Sequence, residues 1–202
     1  MQLLKQGAEA SLFLTEYFGE KVIVKQREQK KYREKKLDEK ILKERIRTEC
    51  NLILKAQKAG VRTPLIKEIG LEQKSITFEY ITGKTLKETL IEEKEIAKFC
   101  KEAGKEIAKL HSNKIIHGDL TTSNIIIHNN KLVFLDFSLG NISSKIEDFA
   151  VDLLVFKKTF KATHYNIIEF WKKIEESYSK EFSDGKEVLK KIEKVESRAR
   201  YF

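Results

Sequence analysis

One stretch of the chain, His117–Ser138, constrains its fold and its chemistry more than any other. Asp119 and Asn124 lie five residues apart in a polar loop, and two apolar runs separated by Asn129-Asn130 follow, as in a β-hairpin. The second run ends at Asp136, so the returning strand would bring this carboxylate back to the loop. Two carboxylates and an amide oxygen would then converge, and such oxygen ligands suit a magnesium ion that also contacts phosphates.

Single Asp or Asn residues in loops more often serve turns than chemistry. The ordered set is more specific, because it resembles the catalytic-loop and metal-loop pattern of protein kinases. In that pattern Asp119 accepts or orients a proton, whereas Asn124 and Asp136 hold magnesium. Gly118 stands where kinases usually have Arg, and no Ala-Pro-Glu follows Asp136-Phe137. We therefore expect neither control by activation-loop phosphorylation nor an extended peptide substrate.

Composition narrows the class of protein. The 202 residues, 41% of them hydrophobic, suffice for one substantial core or two small lobes. The charge of +9 favours polyanionic partners such as nucleic acid or nucleotides, although a generally ionic surface would give the same balance. Cys50 and Cys100 lack a second Cys or His at zinc-ligand spacing, so we expect buried thiols and a reducing cytoplasm. The sequence shows neither a membrane span nor a signal peptide, and no membrane partner is expected.

The first eighty or so residues predict a small β-rich lobe with one main helix. Short β-like runs with turns at Gly7 and Gly19 lead to Lys25, and a second hairpin ends at Ile81. Between them Lys30–Arg47 carries nine Lys or Arg residues in eighteen positions and leads into a helical pattern. The predicted apolar stripe of this helix consists of Leu37, Ile41, Ile46, Leu52, Ile53 and Ala56.

Helical patterns dominate the rest of the chain. They cover residues 86–90, 93–111, 146–160, 164–181 and 185–197. We therefore expect an α+β protein with a two-lobed, protein-kinase-like fold: an N-lobe of residues 1–81 and a compact, mostly helical C-lobe of residues 82–202, together one catalytic domain. His111 is expected to be a hydrogen-bonded core histidine rather than a metal ligand.

The kinase resemblance also assigns residues of the N-lobe to the nucleotide. Val22-Ile-Val-Lys25 resembles the strand whose Lys holds the phosphates. Glu49, in the middle of the following helix, is its expected partner, with Glu44 as the alternative. The loop expected to cover the phosphates has one glycine where kinases have three and consists of Gly7, Ala8, Glu9 and Ala10. The hinge residues expected to flank the adenine or bond it through the backbone are Phe78, Glu79 and Ile81.

Further strings over nearly the whole chain match one particular family. They are Gln6-Gly-Ala-Glu-Ala10, Lys31-Tyr-Arg33, Leu37-Asp38, Arg45, Arg47-Thr-Glu49, Glu79-Tyr-Ile81, His117-Gly-Asp-Leu-Thr-Thr-Ser-Asn124, Asp136-Phe137, Ser144-Lys-Ile-Glu-Asp148 and Ala150-Val-Asp-Leu153. On these residues the chain resembles the small RIO-related kinase subunit of the KEOPS complex (the PRPK family), which occurs alone or fused to a transferase. The final Tyr201-Phe202 and the modestly basic tail depart from the family pattern.

The resemblance implies an atypical serine/threonine kinase and ATPase that uses ATP and Mg²⁺ and supports the threonylcarbamoyl-adenosine modification of tRNA. Its implied partners are a threonylcarbamoyl transferase subunit and other KEOPS subunits, with a cytoplasmic location. We expect Lys30–Arg47 to contact tRNA through charge alone. The alternatives are that this segment is only the solvent-exposed start of the helix, or that it contacts an acidic protein partner. Two other functions remain open: a RIO-type or other small phosphotransferase, and a non-enzymatic tRNA-binding scaffold with a structural nucleotide site.

Overall fold

The computed structural model describes residues 1–7, 9–30, 32–92 and 95–198. The chain forms two compact units. The first comprises Met1–Asn51 and Pro64–Thr82, and the second comprises Leu52–Thr63 and the chain from Gly83 on.

The first unit is built on a five-stranded antiparallel sheet. Its elements are β1 (Gln2–Gln6), β2 (Ala10–Tyr17), β3 (Glu20–Arg27), the helix α1 (Lys35–Lys58) as far as Asn51, β4 (Ile66–Gly70) and β5 (Ser75–Glu79). The strand order is β1-β2-β3-β5-β4, which places β3 in the middle of the sheet. Lys25 of β3 is therefore flanked by Leu12 of β2 and Ile76 of β5.

Local sequence explains these elements. Phe18 and Gly19 both have positive φ (49° and 80°), as the two-residue turn between β2 and β3 requires. In α1 the buried stripe runs through Asp38, Leu42 and Ile46, at the spacing of one helical turn. Leu37, predicted to lie on this stripe, is 52% exposed, so that prediction was wrong. It precedes Asp38 by one residue and is rotated about 100° from the stripe.

The described part of the second unit is mostly helical and holds two small antiparallel sheets, one of three strands and one of two. Its elements, in addition to the last turns of α1, are β6 (Lys84–Thr85), α2 (Leu86–Ile91), α3 (Ile96–Ser112), β7 (Ile115–Ile116), a 3₁₀ helix (Thr122–Asn124), β8 (Ile125–His128), β9 (Lys131–Phe134), β10 (Asn141–Ile142), α4 (Ile146–Thr163), a second 3₁₀ helix (Tyr165–Phe170), α5 (Trp171–Glu181) and α6 (Gly185–Arg198). The pattern at 164–181 predicted one helix, whereas Ile167 has non-helical φ and ψ (−129° and 28°) and only the part from Trp171 is α-helical.

Both cysteines are buried, as predicted. Burial raises the pKa of the Cys50 thiol to about 11 and that of the Cys100 thiol to about 12, so both stay protonated near neutral pH. Among the helices in the described part of the chain, none has the length and apolar character needed to cross a bilayer.

Candidate active site

The hairpin predicted around Asn129-Asn130 is present and places the candidate site in the second unit. β8 pairs with β9, and both asparagines have positive φ (48° and 61°), which suits a two-residue hairpin turn. Just beyond β9, the backbone N–H of Leu135 donates to the carbonyl oxygen of Asn124 at 2.9 Å. The residue before Asp136 is thus bonded to the loop that carries Asn124.

Asp119 and Asn124 are in direct contact. The Asn124 side-chain amide donates to the carboxylate Oδ2 of Asp119 at 2.8 Å and to the backbone oxygen of Asp119 at 2.9 Å. Since both of these partners can only accept, the NH₂ group must face Asp119 and the amide oxygen must point elsewhere. Asn124 is therefore oriented to offer an oxygen ligand.

Asp136 follows two residues after the end of β9 and has a backbone φ of 60°. This left-handed conformation is one that Asp and Asn tolerate better than most residues. The side chain is exposed, and its Oδ1 accepts hydrogen bonds from the backbone N–H and the hydroxyl of Ser138. These bonds fix the direction of the carboxylate at the start of the following loop.

His117 joins the two parts of this site. Its Nε2 lies 2.9 Å from the carbonyl oxygen of Leu135, and its Nδ1 accepts from the backbone N–H of Asp119 at 3.3 Å. The proton therefore sits on Nε2, because a carbonyl cannot donate. Burial lowers the pKa of His117, which keeps the ring in this neutral tautomer. A buried ring thus connects the backbone at Asp119 to the residue before Asp136.

A buried carboxylate accepts hydrogen bonds from the backbone of the same loop. We did not predict this role from the sequence. Asp152 of α4 accepts from the backbone N–H groups of His117 and Gly118, both at 2.9 Å, and lies 3.2 Å from Nε2 of His111. Burial alone would raise the pKa of Asp152, but the hydrogen bond with His111 and the interactions with His117 outweigh it and hold the pKa below its usual value. The carboxylate therefore stays ionised.

His111 completes this network and is a core histidine, as predicted. Its Nδ1 lies 2.7 Å from the hydroxyl of Tyr178, and burial raises the pKa of that tyrosine, so the hydroxyl stays protonated and donates. Nε2–H then donates to Asp152. The sequence did contain a signal, because Asp152 sits three residues after Phe149 and four before Phe156, within the apolar stripe of α4.

Gly118 is required by the backbone rather than by chemistry. Its φ is 84°, and an added Cβ would come within 2.2 Å of the carbonyl oxygen of Leu139. Neither Arg nor any other side chain fits there without a shift of the backbone.

In the first unit the Lys25–Glu49 pair is present, and Glu44 is not the partner. Lys25 Nζ donates to Glu49 Oε1 at 2.7 Å, and the two side chains are only 8% and 1% exposed. Glu44 is exposed on α1. Arg27, which shares a face of β3 with Lys25, also donates to Glu49, and this second cation was not anticipated. Glu49 is thus contacted by two cations.

The predicted phosphate loop is only partly described, because Ala8 lies outside the described residues. Gly7 N–H donates to the carbonyl oxygen of Ala10 at 3.0 Å, which closes a tight turn. The carboxylate of Glu9 forms an ion pair with Arg45 of α1. This pairing offsets a negative charge in a loop expected to cover phosphates.

The predicted hinge residues Phe78 and Glu79 end β5, and Ile81 lies two residues beyond it. Phe78 and Ile81 are buried, at 9% and 7% exposure. The Glu79 N–H donates to the carbonyl oxygen of Leu65 at 2.8 Å, and the Glu79 carboxylate accepts from the Leu65 N–H. The Glu79 N–H is therefore already used, and a nucleobase that bonded the backbone of Glu79 would have to donate to the Glu79 carbonyl oxygen.

The basic run Lys30–Arg47 is partly neutralised within the first unit. Arg33 pairs with Asp38 at 3.2 Å, and Lys43 pairs with Glu72 at 2.6 Å. Lys31 lies outside the described residues. The run therefore offers fewer available charges than its composition suggests.

Comparison with known proteins identifies the family of this chain. The RIO domain family matches residues 13–154. The KEOPS complex subunit Bud32 of Pyrococcus abyssi is 39% identical over all of this chain and 96% of its own length, and the bud32 subunit of the EKC/KEOPS complex of Dictyostelium discoideum is 38% identical over 98% of this chain and 82% of its own length.

Longer relatives are also found. A bifunctional tRNA threonylcarbamoyladenosine biosynthesis protein of Methanobrevibacter smithii is 40% identical over 98% of this chain, which spans 36% of that protein. Among solved structures, WaaP in complex with acyl carrier protein superposes with a TM-score of 0.65 at 14% identity, covering 98% of this chain and 88% of that one. The predicted α+β, kinase-like fold is thereby confirmed.

Proposed function

This chain belongs to the RIO domain family, together with the KEOPS subunit Bud32, and on that premise we propose that it binds ATP with Mg²⁺ and acts as an atypical serine/threonine kinase and ATPase. Its kinase-like domain is of the phosphotransferase type, and such domains bind nucleotides. Three parts of this function are proposals: that the nucleotide is ATP, that the metal ion is Mg²⁺, and that the phosphoryl group goes to a serine or threonine hydroxyl or to water.

The buried Lys25–Glu49 pair carries this proposal. Burying an ammonium costs several kcal/mol unless it is paired and hydrogen-bonded, and Glu49 supplies that pairing at 2.7 Å. Arg27 donates to the same carboxylate, so Glu49 contacts two buried cations. In kinases a Lys–Glu pair of this kind places the Lys on the nucleotide phosphates, and we assign Lys25 that role.

The donor set fits magnesium. Asn124 presents an amide oxygen and Asp136 a carboxylate, both hard ligands. Among the described residues, no group of three His, Cys, Asp or Glu side chains could hold a metal ion unaided. Mg²⁺ is commonly held by one or two carboxylates together with phosphate oxygens, so the ion would arrive with the nucleotide. When bound, it neutralises charge that develops on the phosphates.

We assign Asp119 the role of proton acceptor. Its carboxylate is half-buried, and Asn124 holds one of its oxygens, which fixes the orientation of the group. An ionised carboxylate can orient a water molecule or a serine hydroxyl and accept its proton. His117 keeps the backbone of this residue in place. The remaining candidates, Gly7, Ala8, Glu9 and Ala10 over the phosphates and Phe78, Glu79 and Ile81 around the base, are retained as proposed nucleotide contacts.

The names of the relatives support a role in tRNA modification. Relatives that match 98% or more of this chain include a KEOPS subunit and a bifunctional threonylcarbamoyladenosine biosynthesis protein. We infer that this chain supports the same modification with a transferase partner and other KEOPS subunits, and that it meets tRNA within that assembly through Lys30–Arg47. A cytoplasmic location follows from this role.

Hydrolysis of ATP tests the proposal. The wild-type chain should release phosphate from Mg-ATP, and more quickly when tRNA and a threonylcarbamoyl transferase partner are added. Asp136→Asn suits the left-handed backbone at φ 60°, so it should remove hydrolysis and leave the fold intact. Asp148→Asn, on the first turn of α4, is the control. Undiminished hydrolysis by Asp136→Asn would refute the metal assignment, and tRNA binding without hydrolysis by the wild type would favour a scaffold.

A further inference from the structure

A small cavity lies in the first unit where the chain enters α1. It has a volume of about 230 Å³. Its lining consists of Gln29, Lys30, Arg33, Lys35 and Asp38. All five side chains end in polar or charged groups, so the cavity offers polar partners to an ion.

The lining is positive even though it includes a carboxylate. Asp38 is 1% exposed and already accepts from Arg33 Nη1 and from the backbone N–H of Lys30, both at 3.2 Å. Among the lining residues three cations, Lys30, Arg33 and Lys35, outnumber the one carboxylate. The guanidinium of Arg33 carries five N–H donors, and one of them is used on Asp38.

An exposed aromatic ring adjoins the cavity. Tyr32 is 78% exposed, and the guanidinium carbon of the neighbouring Arg33 lies 5.3 Å from the centre of its ring. Arg33 thus lines the cavity and contacts one face of the ring. A flat group of a ligand could stack on the other face of the Tyr32 ring while a negatively charged group of the same ligand occupied the cavity.

We propose that the cavity and Tyr32 together bind one nucleotide of single-stranded RNA, with a backbone phosphate in the cavity and the unpaired base on the ring. The cavity is smaller than the 300–1,000 Å³ typical of sites for drug-sized ligands, and among the described residues no aromatic side chain lines it for a base to stack on. A phosphate fits its size and charge. A base needs an aromatic face such as the one that Tyr32 offers, and any of the four bases can stack there.

This inference rests on the proposed role in tRNA modification, which makes RNA the relevant polyanion. It also adds to our expectation from the sequence, which was contact through charge alone. In a double helix the bases are paired and stacked on one another, so they cannot stack on the Tyr32 ring. The cavity and the ring together therefore favour an unpaired stretch of the RNA.

Fluorescence anisotropy with a labelled 12-nucleotide single-stranded RNA tests the inference on the full chain. The stacking variants are Tyr32→Ala and Tyr32→Phe, with Tyr165→Ala as the control because Tyr165 is also 78% exposed. The charge variant is Lys35→Gln, with Lys58→Gln as its control, because Lys58 is an exposed residue of α1 that lies outside both the cavity lining and the basic run Lys30–Arg47. Each protein is titrated at several salt concentrations.

We expect Tyr32→Ala to weaken binding by about 5- to 150-fold with no change in salt slope, because a stacked base is worth about 1–3 kcal/mol. Tyr32→Phe should bind like the wild type. Lys35→Gln should weaken binding and reduce the salt slope by about 0.7, the value for one phosphate contact on a single strand. The control variants should match the wild type.

Two results would overturn the inference. One is a Tyr32→Ala variant that binds as well as Tyr165→Ala, which would leave only non-specific charge. The other is equally strong binding of an RNA duplex or of polyglutamate, which would indicate a different ligand. Mg-ATP binding by the same wild-type preparation is measured in parallel. Its absence would refute the proposed kinase function, whereas the RNA titrations alone decide this inference.

Discussion

Replacing Asp152 with Asn tests how the candidate site is held in place. Asp152 is 2% exposed and accepts three hydrogen bonds, from the backbone N–H groups of His117 and Gly118 and from the ring of His111. Asn has nearly the same size but carries one acceptor oxygen and one NH₂ group. One of the three donors would therefore face another donor.

The magnitude follows from these contacts. A hydrogen bond to a charged group contributes about 1.5–3 kcal/mol, and a buried donor left without a partner costs about 1–3 kcal/mol. The two costs overlap, so we expect Asp152→Asn to lower the free energy of unfolding by about 3–5 kcal/mol, the usual range for breaking a buried pair. ATP hydrolysis should fall as well, because the loop that carries Asp119 loses its support.

Urea denaturation at pH 7.5 measures the change in stability. Hydrogen exchange at the amides of His117 and Gly118 measures the local effect, and these amides should exchange faster in Asp152→Asn than in the wild type. Asp148→Asn is the matched control, because Asp148 lies on the same helix, is only half-buried and accepts from a nearby serine. Its effect should stay below about 1 kcal/mol.

The pH dependence gives a second check. The folded-state pKa of Asp152 lies below the unfolded value of about 3.9, so its stabilisation is complete above about pH 5 and is lost as the pH falls through the folded-state pKa. The difference between wild type and Asp152→Asn should therefore be constant from pH 5 to 8 and should shrink below about pH 4. A loss of stability no larger than that of Asp148→Asn would refute this account of the loop.

Three further outcomes are expected. Glu49→Gln removes the carboxylate that two buried cations share and should lower the free energy of unfolding by about 3–5 kcal/mol in urea titrations; a loss under about 1 kcal/mol would contradict it. Gly118→Ala should cost more than about 2 kcal/mol in the same assay, because its Cβ would meet a backbone oxygen, whereas Gly60→Ala, with φ 80° and open space, should cost only about 1 kcal/mol. Burial lowers the pKa of His164, so its contribution is complete above about pH 6.5 and lost on acidification. His164→Phe should therefore lose less stability than the wild type between pH 7.5 and 5.5, and parallel curves would show that His164 is not held neutral.

The sequence by itself determined the local parts of this protein. The β8–β9 hairpin follows from two apolar runs separated by Asn129-Asn130, because only a few residue types adopt positive φ easily. The choice of Glu49 over Glu44 was also within reach. Glu49 falls three residues after Ile46 and four before Ile53, whereas Glu44 lies about 140° around the helix from Glu49. Periodicity alone thus separates the buried acid from the exposed one.

Only the tertiary structure decided which distant groups meet. Asp152 bonds residues that precede it by 34 to 41 positions, and no local pattern specifies those partners. Arg27 joined Lys25 on one carboxylate because the sheet placed both on one face towards α1. Hydrogen bonding and charge pairing select partners by distance in space. Local preference fixes the elements, and packing fixes which buried polar groups must satisfy one another.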